Sequence, residues 1–385
     1  MSGPAAVTGP AAPPARAVHQ FVPALIPRDA TGSHTLLLRR ALRQAGWRSE
    51  IFAEATHDEL AGESIPVTEY RHRARPGDVL LYQFSTSSMV ADLLLGRPEP
   101  LVLDFHNVTA PELYEGWDPA SGRRAAEALD QLGRLATRAQ LGLADSAFNE
   151  RALRAAGCRR TAVVPVLVDL DRLADPDPRV AARLLTMKTA GGPDWLFVGR
   201  LVPSKAQHDL IKALWAYHRL YDERARLHLV GPAPSGRYLT ALRDFVADLG
   251  LERSVRFAGE VSDAALAAYY EAADVYVSLS VHEGFGVPLL EAMRVGVPVV
   301  ALDTGAVADT VGGAGLILAG AEPSLVAAAV DRVWRDDALR RALAGAGRER
   351  TSDLALEQAA AAAVDALAEV AGPAPAEAGR TGARR

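Results

Sequence analysis

The chain has 385 residues, long for one domain and comfortable for two. Its 49% apolar and 23% charged composition fits a soluble globular protein, and a net charge of −5 argues against bulk nucleic-acid binding, which needs a basic face. The single cysteine, Cys158, excludes an internal disulfide framework and a cysteine-rich metal site.

Residues 1–16 (MSGPAAVTGPAAPPAR) have no basic start followed by an apolar core, so they read as a disordered Pro/Ala/Gly extension and not as a signal peptide. PRDATGSHT, residues 27–35, leads into an apolar-periodic helix that ends at Gly46, and a strand follows near Ile51. Gly32 in that turn has two readings, close approach to a phosphate or a plain loop before a capped helix. The basic cluster Arg71, His72, Arg73 and Arg75 reads as a solvated loop, with weak peripheral membrane contact as its other use. Strands are predicted at 79–84, 101–105, 142–144 and 162–166. The 101–105 strand runs into LDFHNVT, which places His106 at a carboxyl edge, either as a reacting group or as a structural hydrogen-bonder.

DLDRLADPDP, residues 169–178, has linker composition, and its Asp169/Asp171 spacing reads as a solvated turn before a metal pair. Six strands are predicted beyond it, at 195–198, 227–230, 255–257, 274–279, 297–301 and 315–318. A strand followed by a helix, repeated, argues for parallel sheets wrapped by helices. Two doubly wound domains joined at the linker would leave a cleft between the carboxyl ends of their strands. The Ala-rich stretch 353–370 reads as one long helix packing back across the domains. No apolar run approaches the roughly 18 residues of a membrane helix, and a cytoplasmic location is expected.

Two segments carry the chemistry. FVGRLVPSK, residues 197–205, ends a strand and projects Arg200 and Lys205 from a loop; two cations there clamp a diphosphate or are solvated surface charge. Lysine is rare in this chain, only Lys188, Lys205 and Lys212. EGFGVPLLE, residues 283–291, brackets a Gly-Phe-Gly turn and a proline with Glu283 and Glu291. Strand, glycine turn and helix start in that order make an anion site of free backbone N–H groups. Pro288 suits the first helical position and Glu291 the first turn, where the dipole favours a carboxylate. The simpler reading of Glu291 is an i,i+3 pair with Arg294.

Together these residues resemble the family-4 retaining glycosyltransferases of the GT-B fold, most strongly over 197–315. The set is the Glu-x7-Glu run with its inner GFG, the GRL…K loop and VPVVALDTGAVADTVG, with PRDATGSHT and FHNVT as looser matches. The resemblance implies two Rossmann-like doubly wound α/β domains facing a central cleft: 17–175 on the acceptor side, 176–352 binding the nucleotide sugar, 353–371 a helix packing back, and 372–385 a disordered tail. It implies a hexosyl group moved from a UDP- or GDP-sugar to a small-molecule, lipid-linked or glycan acceptor, with no metal or other cofactor and no nucleic-acid partner. Arg200 and Lys205 match the diphosphate-binding pair, and Glu291 the acid on the donor ribose. Glu283 with Gly284, Phe285, Gly286 and Val287 matches the grip on sugar and phosphates. His106 matches a histidine near the anomeric carbon, Gly32 the glycine loop facing the phosphates, and Val261 a segment against the base. The chain departs from the pattern at Ala206, where glycine is usual, and at Asp309, where glutamate is usual. The alternatives are a sugar-nucleotide epimerase of the same architecture and a non-catalytic sugar-nucleotide-binding subunit.

Overall fold

The computed structural model describes residues 17–373, so the expected extension 1–16 and most of the expected tail lie outside the described residues. Two parallel sheets organise the chain. The first holds β1 (Val18–Leu25), β2 (Ile51–Thr56), β3 (Ile65–Pro66), β4 (Val79–Phe84), β5 (Leu101–Phe105), β6 (Leu141–Ala144) and β7 (Thr161–Val163) in the order β3-β2-β1-β4-β5-β6-β7. The second holds β8 (Asp194–Val198), β9 (Arg226–Val230), β10 (Val255–Gly259), β11 (Val275–Ser278), β12 (Val299–Leu302) and β13 (Gly315–Leu318) in the order β10-β9-β8-β11-β12-β13. This is the doubly wound architecture expected from the strand–helix rhythm.

Each sheet is covered on both faces, and the period-2 alternation of a strand sorts its residues between the two cores. In β4, Leu80, Tyr82 and Phe84 enter one core, while Val79 and Leu81 enter the other. In β11, Val275 and Val277 face one way and Tyr276 the other. Strand order reverses between β1 and β4 and again between β8 and β11, and in such sheets the crevice beyond those carboxyl ends is where ligands bind.

The central strand β1 was not among the predicted strands. Its sequence, VHQFVPAL, breaks the apolar run with His19 and Gln20 and contains Pro23, which argues against a central strand. The pairing accommodates it, because the ladder to β4 stops at Phe21, two residues before the proline.

The 169–178 segment needs a correction. It has linker composition but is packed. Asp169 caps a 3-10 turn over Leu170–Leu173, Leu173 is buried against the second sheet's helices, and the Asp177 N–H donates to the Ala264 carbonyl at 2.7 Å. The chain alternates between the cores on the way, with Val164 and Leu167 in the first half's core and Val166 and Leu173 in the second's. The predicted C-terminal helix is observed over Leu356–Ala371, separate from a helix over Asp337–Asp353. Its Ala359, Ala363 and Leu367 pack on Val18, Leu38 and Trp47, so this helix returns to the first sheet's layer.

The helix Pro119–Arg138 starts on an Asp118 cap that accepts from the Ser121 N–H at 3.0 Å and from its hydroxyl at 2.6 Å. The cap fixes the neighbouring Trp117, whose ring meets Tyr238 of the second half edge-on at 5.1 Å. Hydrogen bonds from Ser121 hold the Asp118 carboxyl below its usual range. A depressed folded-state value means the cap's contribution is present above the unfolded value of about 3.9 and is lost as pH falls. Asp118→Ala should cost about 1 kcal/mol at neutral pH. In urea titrations the gap between variant and wild type should narrow as pH falls below the unfolded value of about 3.9; a gap that stays constant as pH falls through the acid range would contradict the cap.

Candidate active site

The carboxyl edge of the second sheet is built from three loops tied to one another. After β8 the chain passes Arg200 to a 3-10 turn over Pro203–Lys205 and then to Ala206, which adopts the left-handed conformation (φ 48°, ψ 41°). The departure from glycine at this position is thus carried by alanine in a geometry that favours glycine. After β11 the loop runs through His282, Glu283 and Gly284 to Gly286 (φ 95°), which opens the helix Val287–Val295. After β12 the Ala306 N–H donates to the Glu283 carbonyl at 3.0 Å, and Thr304 Oγ1 donates to the Ser280 carbonyl at 2.6 Å. The Val281 N–H reaches the Ser204 carbonyl at 2.9 Å and joins the first two loops.

These ties bring Lys205 and Glu283 together: Nζ donates to Oε1 at 2.5 Å. Arg200, on the same loop as Lys205, is exposed and makes no ion pair with the described residues. The Val287–Val295 helix start has no side-chain cap; Pro288 has no N–H and the Leu289 N–H donates to the Gly286 carbonyl at 2.9 Å, which leaves the Val287 N–H to face an anion. Sequence reasoning overlooked His282. Its ring is mostly buried and its Nε2 has no protein partner; burial, reinforced by the Lys205 cation, lowers its pKa. Its position next to Glu283 was the available signal.

Glu291 corrects the expectation. The helix begins at Val287, which makes Pro288 the second helical residue and Glu291 the fifth, beyond the first turn. The Glu291 side chain is 3% exposed and pairs with Arg172, not Arg294; its Oε2 also accepts from the Tyr270 hydroxyl at 2.7 Å. Arg294 pairs with Asp171 instead. Arg172 comes from the segment read as linker and also binds Asp263, so it fastens the crossover to the wall behind the site. Val261 follows β10 and is half-buried; its neighbour Glu260 meets Arg28 of the first half at 3.5 Å.

Gly32 is fixed by its own neighbours. A Cβ there would lie 2.3 Å from the Ile26 carbonyl oxygen, so the missing side chain serves internal packing. Its N–H donates to the Asp29 carboxylate at 3.2 Å, which caps the Ala30–Gln44 helix.

His106 lies at the carboxyl end of β5 among buried polar groups. Its Nε2 is 2.6 Å from Gln83 Oε1, and its Nδ1 is 3.7 Å from Asp145 Oδ2. Burial opposes charge on this ring, but Asp104 and Asp145 outweigh burial and raise its pKa. Burial pushes Asp145 up, whereas in Asp104 the His106 and His34 rings overcome burial and hold the carboxyl low. His34, Asp104 and His106 could together hold a metal ion by their spacing. Their atoms are already committed, however. His34 Nδ1 accepts from the Leu167 N–H at 3.0 Å, His34 Nε2 donates to Asp104 at 3.1 Å, and His106 Nε2 faces Gln83. The set therefore reads as a hydrogen-bond cluster.

The two halves meet at Gly284. Ser146 Oγ donates to the Gly284 carbonyl at 2.7 Å, and a Cβ on Gly284 would lie 2.8 Å from Asn107 Cβ and 3.1 Å from Asn149 Nδ2. The Lys205–Glu283 pair and Gly284 thus lie against the first-half loop that follows His106, while Glu291 is buried with Arg172 and Tyr270.

Residues 188–350 match the family of glycosyl transferases group 1. The chain is 34% identical over 324 residues to a D-inositol 3-phosphate glycosyltransferase of Kineococcus radiotolerans, covering 76% of this chain and 73% of that protein. A D-inositol 3-phosphate glycosyltransferase of Geodermatophilus obscurus is 41% identical over 202 residues, a match spanning 50% of this chain and 43% of that relative. Among solved structures, Anabaena HepE in complex with UDP and glucose superimposes with a TM-score of 0.75 at 21% identity, covering 92% of this chain and all (100%) of that one, which is a likeness of fold. Sequence, sheet order and cleft agree, and the chain belongs to the group 1 glycosyl transferases, family 4, on the GT-B fold.

Proposed function

We propose that this chain moves a hexosyl group from a UDP- or GDP-sugar to an acceptor hydroxyl, with retention at the anomeric carbon and without a metal. The observation that carries the reading is the meeting of Lys205 and Glu283, 78 residues apart in sequence, at the carboxyl ends of the neighbouring strands β8 and β11. That is the switch point of the sheet, directly ahead of an uncapped helix start.

In this reaction an oxocarbenium-like centre forms as the diphosphate leaves. Arg200, Lys205 and the Val287 N–H stabilise the departing charge, a preorganised electrostatic contribution that grows as the bond breaks. Glu283 holds the hexose hydroxyls, and the acceptor proton passes to a donor phosphate oxygen. Closure of the two halves at Gly284 excludes water and limits hydrolysis. The names of the relatives favour an inositol-type acceptor over a polymer. Weak contact with an anionic surface would fall to the recess lined by His19, Arg48, His72, Arg73 and Arg75 at the amino edge of the first sheet, away from the cleft. No helix among the described residues is long and apolar enough to cross a membrane.

The test is release of nucleoside diphosphate across a panel of UDP- and GDP-hexoses, with a chelator present and inositol phosphate among the acceptors. One donor should be turned over with an α-linked product. A thermal-shift screen narrows the base first, since a nucleotide at about 100 times its dissociation constant stabilises by about 2.7 kcal/mol. Conversion of a sugar nucleotide without diphosphate release would point to an epimerase, and binding without turnover on any acceptor would point to a non-catalytic subunit.

A further inference from the structure

Gln20 and Gln83 are fully buried in the middle of a parallel sheet, where an unpaired amide is costly. They are paired in one direction only. The Thr35 backbone carbonyl can only accept, so the Gln20 amide nitrogen faces it, at 2.9 Å. The Gln20 carbonyl then accepts from the Gln83 amide at 3.0 Å, which turns the Gln83 carbonyl toward His106 Nε2 at 2.6 Å. His106 Nε2 must therefore carry a proton.

The other ring nitrogen faces a carboxylate. Asp145 Oδ2 is 3.7 Å from Nδ1, too far for a full hydrogen bond and near enough to favour a proton there. Asp145 is itself held, because Asn149 Nδ2 donates to its other oxygen. The remaining groups around the ring are Asp104 on β5, Asp29 at the start of the Ala30–Gln44 helix, and His34, whose ring meets His106 at 5.1 Å. His34 Nδ1 accepts from the Leu167 N–H at 3.0 Å, so that nitrogen carries no proton.

Resting on the reading of this cleft as a sugar-transfer site, we propose that Gln83 and Asp145 are positioning residues that keep both ring nitrogens of His106 protonated, so that the ring meets the transferred sugar as a hydrogen-bond donor and not as a base. Nε2–H is committed to Gln83, while Nδ1–H, which at 3.7 Å makes no full hydrogen bond to Asp145, is left to donate to a hydroxyl oxygen of the hexose. Asp145 also precedes Ser146, which touches Gly284 of the second half, so one turn both orients the carboxylate and meets the incoming donor loop. A ring held in this state cannot take the acceptor proton, which leaves the phosphate oxygen as the acceptor of that proton.

The test is nitrogen NMR of the full chain labelled at histidine, with His106→Gln assigning the signal. In the unliganded wild type both His106 nitrogens should be protonated at pH 7. Asp145→Asn, which keeps the shape, should lower the His106 titration midpoint by about one unit or more. It should lower kcat by about tenfold, well short of losing a whole oxyanion-type donor, and leave nucleoside diphosphate affinity unchanged. Gln83→Leu should release the Nε2 proton in the same spectra. A His106 that is neutral at pH 7 in the wild type, or a midpoint that Asp145→Asn leaves in place, overturns the proposal. The spectra require no turnover. If no sugar nucleotide is consumed while His106 titrates as stated, the sugar-transfer reading falls and the positioning of the ring stands.

Discussion

Lys205→Ala should lower turnover of the sugar nucleotide by about 10²- to 10³-fold, the range for removing one preorganised charge-stabilising donor. In the unliganded protein Lys205 is held by Glu283 at 2.5 Å, so each neutralises the other. A bound diphosphate competes for the ammonium, and that competition turns in favour of the phosphates as the leaving group gains charge. Alanine removes the cation and leaves the Glu283 carboxylate, 14% exposed, facing the same oxygens. Repulsion then adds to the lost attraction, and nucleoside diphosphate binding should weaken along with kcat. Glu283→Gln separates the two effects. It frees Lys205 for the phosphates, so nucleoside diphosphate should bind at least as tightly as to wild type, while kcat falls with the loss of the charged grip on the hexose. Calorimetry with the nucleoside diphosphate and steady-state release assays together read the divergence. Undiminished transfer in both variants would remove the cleft from the reaction.

Much of this site was legible because its parts are local. A β-favouring run, two glycines, a proline and helically spaced leucines specify a strand, a turn and a helix within about twenty residues, and the chain order of such units specifies parallel sheets. What stayed hidden depends on contacts between distant segments. Helical spacing placed Glu291 on the right helix but gave neither its burial nor its partner, because Arg172 lies 119 residues away in a stretch with linker composition. Gln20 and Gln83 look like interruptions of apolar strands until the sheet sets them side by side. Pro23 hid β1 because sequence alone does not reveal that the β4 ladder ends before it. Gly32 fits two explanations equally well as a sequence, and its close approach to Ile26 is visible only in the fold.

Distance in sequence also separates Gly284 from the residues that make it a glycine, and replacing it should uncouple donor binding from transfer. Its φ lies outside the left-handed region, so alanine is compatible with its own backbone. The obstacle is the other half of the molecule. The new Cβ would lie 2.8 Å from Asn107 Cβ and 3.1 Å from Asn149 Nδ2. Neither neighbour yields easily: Asn107 sits at φ 75° with its Oδ1 accepting from the Val108 N–H, and Asn149 is fully buried and tied to Asp145. The clash therefore exists only when the halves are closed, and an open cleft relieves it. Nucleoside diphosphate affinity should stay near the wild-type value, because Arg200, Lys205 and the helix start all belong to the second half. The kcat for transfer should fall by about 100-fold, the effect of a misplacement near 1 Å. Hydrolysis should rise relative to transfer as water enters, and small-angle scattering with nucleotide bound should give a larger radius of gyration than wild type. Ser146→Ala is the milder counterpart, losing one hydrogen bond across the same contact, worth about 1 kcal/mol, without a clash. A Gly284→Ala enzyme with wild-type kcat and an unchanged ratio of hydrolysis to transfer would mean that catalysis does not pass through the closed contact.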